Sequence, residues 1–265
     1  MRRTRSATLA ADPGTRYAYT NTNYHLAGRL VEVVSGQPFA AYLHDHVFAP
    51  LGMTASVGID QAPRDLPPQV RAGYVYAYGA TVPVAEPKRF VAGSDGVIST
   101  ARDLARWLIT QSRGGVAADG TRLVSAASAA AMHTPGGPGS TYGMGWDRDE
   151  HGWVRHNGVW FTYTASQLLL PSGWGIAVLG NSGLGLANEG TDQLADALAQ
   201  LVAGGRDITF GQLCHAALPL VLWAAVAAAM NLATLATRVV AVLRLRRPAD
   251  AATVTGAQPT PTAAG

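Results

Sequence analysis

Apolar residues recur every three or four positions in five segments of the chain, and this spacing predicts amphipathic helices. The helices are expected between Asn21 and Gly36, over about 38–47, from Thr100, over 125–133 and from Asn188. In the first of them Asn21 or Thr22 caps the start and Gly36 ends the helix. Its apolar side consists of Leu26, Leu30, Val31 and Val34.

Strand signals follow Gly143. Residues 153–156, 162–170 and 174–180 are rich in apolar and β-branched side chains. Pro171-Ser172-Gly173 separates the last two segments and predicts a hairpin turn. A helix that follows an antiparallel hairpin packs on one of its faces. The sequence therefore predicts an α+β fold, an antiparallel sheet with flanking helices.

A segment without formal charge runs from residue 208 to residue 237. Its densest part, 213–235, exceeds the roughly 20 helical residues that cross a bilayer core, and buried core helices rarely run so long without a polar face. The arginines at 238 and 244–247 place the C-terminus in the cytoplasm by the positive-inside rule. We expect an extracytoplasmic partial domain (1–205), a single transmembrane helix in the cell membrane (206–243) and a disordered cytoplasmic tail (244–265).

Composition and charge exclude several classes of protein. Hydrophobic residues make up 48% and charged residues 14%, which is neither disordered nor coiled-coil composition. Seven arginines lie in two clusters, one at the N-terminus and one behind the uncharged segment: Arg2, Arg3, Arg5, Arg238, Arg244, Arg246 and Arg247. Without them the rest of the chain has a net negative charge, so we expect no nucleic-acid-binding face. The sequence indicates no cofactor and no metal: His44 and His46 face different directions on a helix, and no other grouping has zinc spacing.

Three motifs occur in order along the first 200 residues. PGTRYAYTNTNY (13–24) contains Tyr19-x-Asn21 and is followed by SGQPF…PLGM up to Met53; AGSDGVIST occupies 92–100; and Arg155-His156-Asn157-Gly158 precedes the hairpin. In this order they resemble the β-lactamase-related serine hydrolases, which include class C β-lactamases, D,D-peptidases and esterases. The resemblance covers about residues 12–203. It implies a β-lactamase/transpeptidase-like fold and hydrolysis of an ester or amide, in a small molecule or peptide, through an acyl-serine.

The resemblance implies roles for five residues. Tyr19 would relay the proton of the nucleophile, and Asn21 would hydrogen-bond the substrate amide or the catalytic lysine. His156 would line the opposite wall and hold the acyl group or relay protons. Gly158 would let the backbone approach the substrate, and the N–H of Val159 would donate to the oxyanion. A tyrosine pKa of about 10 has to be lowered by nearby positive charge, much of it from the family's lysine, before the phenol acts as a base.

Three of these residues also have a purely structural interpretation. Tyr19 could be a packed aromatic whose hydroxyl bonds to backbone. Asn21 could be a plain helix N-cap. His156 could be a partly exposed strand residue beside a turn. Any one position alone leaves this alternative open, and it is the ordered set of motifs that favours a site.

The family's nucleophile motif, Ser-x-x-Lys, does not occur in this sequence. The single lysine is Lys88, and Ala85 stands three residues before it. In the family this motif lies many tens of residues before Tyr-x-Asn, so we expect the chain to lack the nucleophile segment and the first strands of the sheet. Ser94 lies in a glycine-rich turn, but the sequence shows no base near it, and Gly-x-Ser-x-Gly is also missing.

Two functional hypotheses follow. The first is a membrane-anchored polypeptide of the hydrolase family that is inactive or nearly so alone, because the serine and the lysine are missing. Its full-length parent would cleave a cell-wall peptide, a β-lactam or an ester. The second is a non-catalytic, membrane-tethered protein that binds a peptidoglycan-like peptide in the same cleft. A third possibility is that another polypeptide supplies the missing half of the site.

Overall fold

The computed structural model describes residues 8–70, 72–77, 80–137, 139–183 and 190–204. In these ranges the helices are α1 (Asn21–Ser35), α2 (Phe39–Leu43), which continues as a π-helix (His44–Phe48), α3 (Ala101–Ser112), α4 (Ala126–Met132) and α5 (Gly190–Ala203). The strands are β1 (Val57–Gly58), β2 (Gln61–Ala62), β3 (Tyr74–Ala77), β4 (Ala80–Pro83), β5 (Arg89–Phe90), β6 (Val97–Ile98), β7 (Asp147–Arg148), β8 (Val154–Val159), β9 (Thr164–Leu169) and β10 (Gly175–Gly180).

The largest sheet is antiparallel and has the order β10-β9-β8-β7. The predicted hairpin turn at 171–173 is confirmed, since β9 and β10 pair along their full length and Gly173 adopts a φ of 91°. β8 extends three residues beyond the predicted end at His156, because Asn157, Gly158 and Val159 continue the pairing with β9. The sheet therefore carries the third motif on a strand rather than on a loop.

Helices cover both faces of this sheet. Alternate residues of a strand point to opposite faces. On one face Leu168 and Ile176 pack against Ala195 and Ala199 of α5. On the other face Leu108 of α3 packs with the buried residues Trp146, Val154 and Leu169. Helices packed on an antiparallel sheet confirm the predicted α+β fold.

Residues 57–98 form three further antiparallel strand pairs: β1 with β6, β2 with β5 and β3 with β4. The sequence analysis did not predict them. Four of these six strands contain only two residues, which is too short for an alternating pattern to show. The pair β5–β2 and the pair β6–β1 flank the turn at Val91–Gly96, and this turn lies against α1.

The start of α1 corrects one prediction. Thr20, not Asn21 or Thr22, is the N-cap: its backbone is extended, and its hydroxyl accepts a hydrogen bond from the Thr22 N–H at 3.3 Å. Asn21 is the first helical residue. The predicted end is confirmed, because Gly36 takes the left-handed conformation at a φ of 70° and its N–H bonds to the carbonyl of Glu32.

Of the apolar side predicted for α1, Leu26, Leu30 and Val34 are exposed in the described structure and Val31 is half-buried. The only buried residue of α1 is Gly28, and the side chains of Leu30 and Val34 are 63% and 78% exposed. Leu26 and Val33 are also exposed. Leu26 lies one helical turn before Leu30, and Val33 and Val34 lie one turn after it. The four side chains therefore form a continuous apolar stripe. An exposed apolar stripe of this kind is typical of a surface that contacts another molecule.

The predicted transmembrane helix (206–243), the tail (244–265) and the helix cap Asn188 lie outside the described residues. Among the helices that the structure describes, none combines the length and the apolar character needed to cross a membrane.

Candidate active site

Tyr19 lies directly before the N-cap of α1, and its side chain is 56% exposed. Partial burial, followed by the nearby groups Tyr24 and Asp95, raises the pKa of the Tyr19 phenol. This direction is opposite to the one that a base at neutral pH requires. The described surroundings of Tyr19 thus favour the protonated phenol.

His156 stands in β8 opposite Gln167 of β9, on the sheet face that carries Val154 and Leu169. Burial lowers the pKa of the His156 imidazole, and the charge of Asp147 opposes part of this effect. The imidazole is therefore neutral at pH 7, with one nitrogen able to accept a proton or a hydrogen bond.

Tyr142 joins these two residues, which are 137 positions apart in the chain. Its ring lies edge-on to Tyr19, with centroids 5.7 Å apart, and its ring centroid is 5.9 Å from that of His156. Its hydroxyl is 3.5 Å from Nδ1 of His156, at the outer limit of a hydrogen bond. Burial, and then its hydrogen bond with Tyr24, raise the pKa of the Tyr142 phenol well above the usual range.

The sequence analysis missed Tyr142 and also Tyr17, whose ring centroid is 5.6 Å from that of Tyr142. A local signal was present: Tyr142 begins the run Tyr-Gly-Met-Gly-Trp, in which two glycines flank one residue. Gly143 has no room for a side chain, since a Cβ there would lie 2.4 Å from the carbonyl oxygen of Met132. This close approach holds Tyr142 against the sheet. We call Tyr17, Tyr19, Tyr142 and His156 the aromatic wall.

Gly158 and Val159 lie at the end of β8, next to an open strand edge. The N–H of Trp160 donates to the carbonyl of Tyr163 at 2.8 Å, across the β8–β9 connection. Peptide groups of an antiparallel strand alternate between its two sides, so the N–H of Val159 points away from β9. On that side β7 pairs with Val154 and Arg155 and then ends. In the described structure the Val159 N–H thus points to the side of β8 on which the pairing with β7 has ended.

Asn21, unlike Tyr19 and His156, makes no described contact with the aromatic wall. It is exposed in the first turn of α1, two residues after Tyr19.

The residues on the face of β8 opposite His156 have a structural role. Arg155 pairs with Asp196 of α5, and the Asn157 amide donates a hydrogen bond of 2.8 Å to Asp192 of the same helix. Within the described ranges no three His, Cys, Asp or Glu side chains form a group that could hold a metal ion.

Comparison with known proteins defines the family. Residues 1–200 match the Beta-lactamase family, and the chain belongs to it. It is 38% identical over 122 residues to "Penicillin-binding protein 4" of Amycolatopsis lactamdurans, which is 45% of this chain and 32% of that protein. It is 28% identical over 157 residues to a provisionally named D-alanyl-D-alanine carboxypeptidase of Escherichia coli K12, covering 52% of this chain and 36% of the relative. The chain thus spans about a third of the length of these relatives.

Solved structures give the same fold. The octameric penicillin-binding protein homologue from Pyrococcus abyssi matches with a TM-score of 0.60 and 26% identity, over 75% of this chain and 45% of that one. The D-amino acid amidase from Ochrobactrum anthropi, solved with D-phenylalanine, matches with a TM-score of 0.58 and 21% identity, over 74% and 61%. The chain is therefore a β-lactamase-like protein, similar to penicillin-binding proteins.

Proposed function

We propose that this chain contributes one wall of a serine acyl-transfer site that cleaves an amide or ester bond. The observation that carries the proposal is the position of Tyr142, which contacts the rings of Tyr19 and His156 and so places the first and third motifs in one cluster. Two motifs that are distant in sequence meet at His156, three residues before Val159 on the same strand, and an acyl-transfer site would need such groups close together.

The substrate class follows from the open edge of β8 and from the relatives. An extended peptide binds a free strand edge through main-chain hydrogen bonds, and the Val159 N–H would donate to the carbonyl that is attacked. The relatives are named for penicillin binding and for D-alanyl-D-alanine cleavage. We therefore propose a D-alanyl peptide or a β-lactam as substrate, with neutral His156 lining the site of the acyl group.

Alone, these 265 residues would bind the substrate without turning it over. They contain no Ser-x-x-Lys, and Tyr19 keeps its proton at neutral pH because its pKa is raised. A lysine beside Tyr19 would lower that pKa by charge attraction and make the phenol a base. The exposed apolar stripe of α1 begins at Leu26, seven residues after Tyr19. This position supports the proposal that a polypeptide carrying Ser-x-x-Lys packs on the stripe, at the Tyr19 end of the site.

Binding can be tested by NMR on the full chain in detergent with acetyl-D-Ala-D-Ala. The proposal predicts saturable shifts of the His156 ring signals and of the Val159 amide, with acetyl-L-Ala-L-Ala as the control ligand. Shifts should weaken in Tyr142→Ala. His151 is an exposed histidine outside the aromatic wall, and its signals should not move. Equal responses to both peptides, or none, would remove the support for a D-peptide cleft.

The second candidate function is that of a non-catalytic binding protein. The packing of the described core supports this alternative. The sheet is covered by α3 and α5 on its two faces with buried clusters on each side, which is what an independently stable binding domain needs. Supplying a Ser-x-x-Lys polypeptide separates the two candidates. Acylation should then appear if the site is half of a catalyst, whereas binding alone should persist if the chain is only a receptor.

We also propose that the uncharged segment 213–235 and the arginines behind it anchor the protein in the cell membrane with residues 1–205 outside. The support is the length of the segment and the position of the charges in the sequence. The chain should stay in the membrane pellet after alkaline carbonate extraction, and protease added to intact spheroplasts should degrade residues 1–205. Release into the carbonate supernatant would contradict the anchor.

A further inference from the structure

The turn at Val91–Gly96 is held tightly against α1. A Cβ on Gly28 would lie 3.0 Å from Cα of Gly93, and one on Gly93 would lie 2.4 Å from the carbonyl oxygen of Tyr24. Gly93 also has a φ of 84°, which side chains other than glycine rarely adopt. These two glycines bring the backbones into contact and so place Ser94, the next residue of the turn, beside the helix residue His25.

The His25 ring has one defined orientation. Its Nδ1 is 2.8 Å from the carbonyl oxygen of Ala92, and because a carbonyl only accepts hydrogen bonds, Nδ1 carries the proton. Neutral His25 therefore has its lone pair on Nε2, which lies 3.4 Å from Oγ of Ser94. The ring also packs against Phe90, with centroids 5.2 Å apart. A serine, a base and a group that orients the base are the parts of an activated nucleophile.

A carboxylate beside the pair is neutralised by an arginine. Ser94 donates a hydrogen bond to Oδ1 of Asp95, while Oδ2 of Asp95 pairs with Arg89. Arg89 in turn lies 4.5 Å above the ring of Trp160, the residue that follows Val159. The Asp95–Arg89–Trp160 contacts thus fix the turn relative to the end of β8. Ser94 and His25 are both half-buried.

We propose that Ser94 is a nucleophile and His25 its general base, in a second site that accepts small activated carboxylic esters. The Ser94 hydroxyl first rotates from Asp95 Oδ1 toward His25 Nε2. Ser94 Oγ then attacks the ester carbonyl while its proton passes to His25 Nε2. The tetrahedral intermediate expels the alcohol, whose oxygen takes that proton, and acyl-Ser94 remains. Water then attacks the acyl group with His25 Nε2 accepting its proton, and the proton returns to Ser94 Oγ as the carboxylic acid leaves.

This site needs neither Ser-x-x-Lys nor the aromatic wall, so it stands independently of the function proposed above. The sequence offered no base near Ser94, because His25 is 69 positions away and the fold brings the two together. A residue of the AGSDGVIST motif therefore has a chemical partner that only the tertiary structure provides.

The test uses the full chain in detergent and an alkyl fluorophosphonate, from which an activated serine displaces fluoride. Mass spectrometry of the digested protein should place one adduct on Ser94. Ser94→Ala should abolish it. His25→Asn keeps a donor for the Ala92 carbonyl but removes the base, so labelling should slow by about a hundredfold.

Ser99→Ala is the matched control, since the Ser99 hydroxyl pairs with Ser56 at 2.8 Å, and its labelling rate should equal that of the unmodified chain. Circular dichroism shows that each variant is folded, and the adduct position in the unmodified chain needs no variant at all. An adduct elsewhere, no adduct, or His25→Asn reacting at the original rate would overturn the proposal. Penicillin acylation in the presence of a Ser-x-x-Lys polypeptide tests the other site separately, because that reaction is expected to depend on Tyr19 and not on Ser94.

Discussion

The hydroxyl of Tyr142 lies 3.5 Å from Nδ1 of His156, and the two rings meet edge-on with their centroids 5.9 Å apart. The pKa of this histidine is lowered chiefly by burial, and we expect Tyr142 to supply part of that burial. Because a neutral imidazole is needed for proton relay at neutral pH, the tyrosine prepares the histidine for its proposed role. Tyr142 is thus a positioning residue for His156.

Replacing Tyr142 should change the titration of His156. In Tyr142→Ala the imidazole becomes exposed to water, so its pKa should rise toward the ordinary histidine value. Tyr142→Phe keeps the ring that excludes water and should change the pKa far less. The chemical shift of the His156 ring carbon-bound protons, followed from pH 8 to pH 5, measures both variants. A larger shift in the Phe variant than in the Ala variant would mean that the hydroxyl, not burial, controls this histidine.

Stability should fall as the pH drops through the histidine range. Burial lowers the pKa of both His133 and His156, so the folded state binds these protons less tightly than the unfolded chain. Below a pH of about 6.5 unfolding therefore takes up protons, and the free energy of unfolding decreases. Thermal melts between pH 8 and pH 5.5 should show a falling Tm, with a smaller fall in His156→Gln. A Tm that is constant across this range would show that neither histidine resists protonation.

Much of the fold was predictable where the pattern is long, as in α1 and the β9–β10 hairpin. The sequence analysis also singled out Tyr19 and His156, both of which contact Tyr142 in the structure. It did not find Tyr142 or the Ser94–His25 pair, since their contacts depend on tertiary packing rather than on spacing. Asp103 gives another example. It lies three residues after Thr100, the N-cap of α3, but its carboxylate accepts hydrogen bonds at 2.8 Å from the Ala55 N–H and the Ser56 hydroxyl, which are distant in sequence.

Two glycines with positive φ should respond differently to alanine. Gly36→Ala places a Cβ in open space, so it should cost only the strain of a left-handed residue, about 1–2 kcal/mol. Gly93→Ala adds a backbone clash with Tyr24 to the same strain, and we expect a total of about 3–4 kcal/mol. Urea unfolding monitored by tryptophan fluorescence compares them. Equal losses would show that the turn at 91–96 does not press on α1.

The apolar stripe of α1 should tolerate charge in the isolated chain. Leu30→Lys with Val34→Lys replaces two exposed side chains, so the unfolding free energy should change by less than about 1 kcal/mol. The same double variant should impair acylation once a Ser-x-x-Lys polypeptide is present, because a charged stripe no longer packs. Val82→Lys, an exposed apolar residue on β4, is the matched control and should have no effect. A large loss of stability in the double variant alone would mean that the stripe is already covered.

The central claim is that Tyr19 and His156 belong to a catalytic site which lacks only its serine and lysine. The direct measurement is the intact mass of the full chain after incubation with benzylpenicillin, alone and fused behind the Ser-x-x-Lys-bearing region of a penicillin-binding relative. We predict a one-to-one penicilloyl adduct on the fusion, strongly reduced by Tyr19→Phe but not by Tyr42→Phe, and no Tyr19-dependent adduct on the chain alone. A folded fusion that gains no mass, or a chain that is acylated alone through Tyr19, would contradict the account.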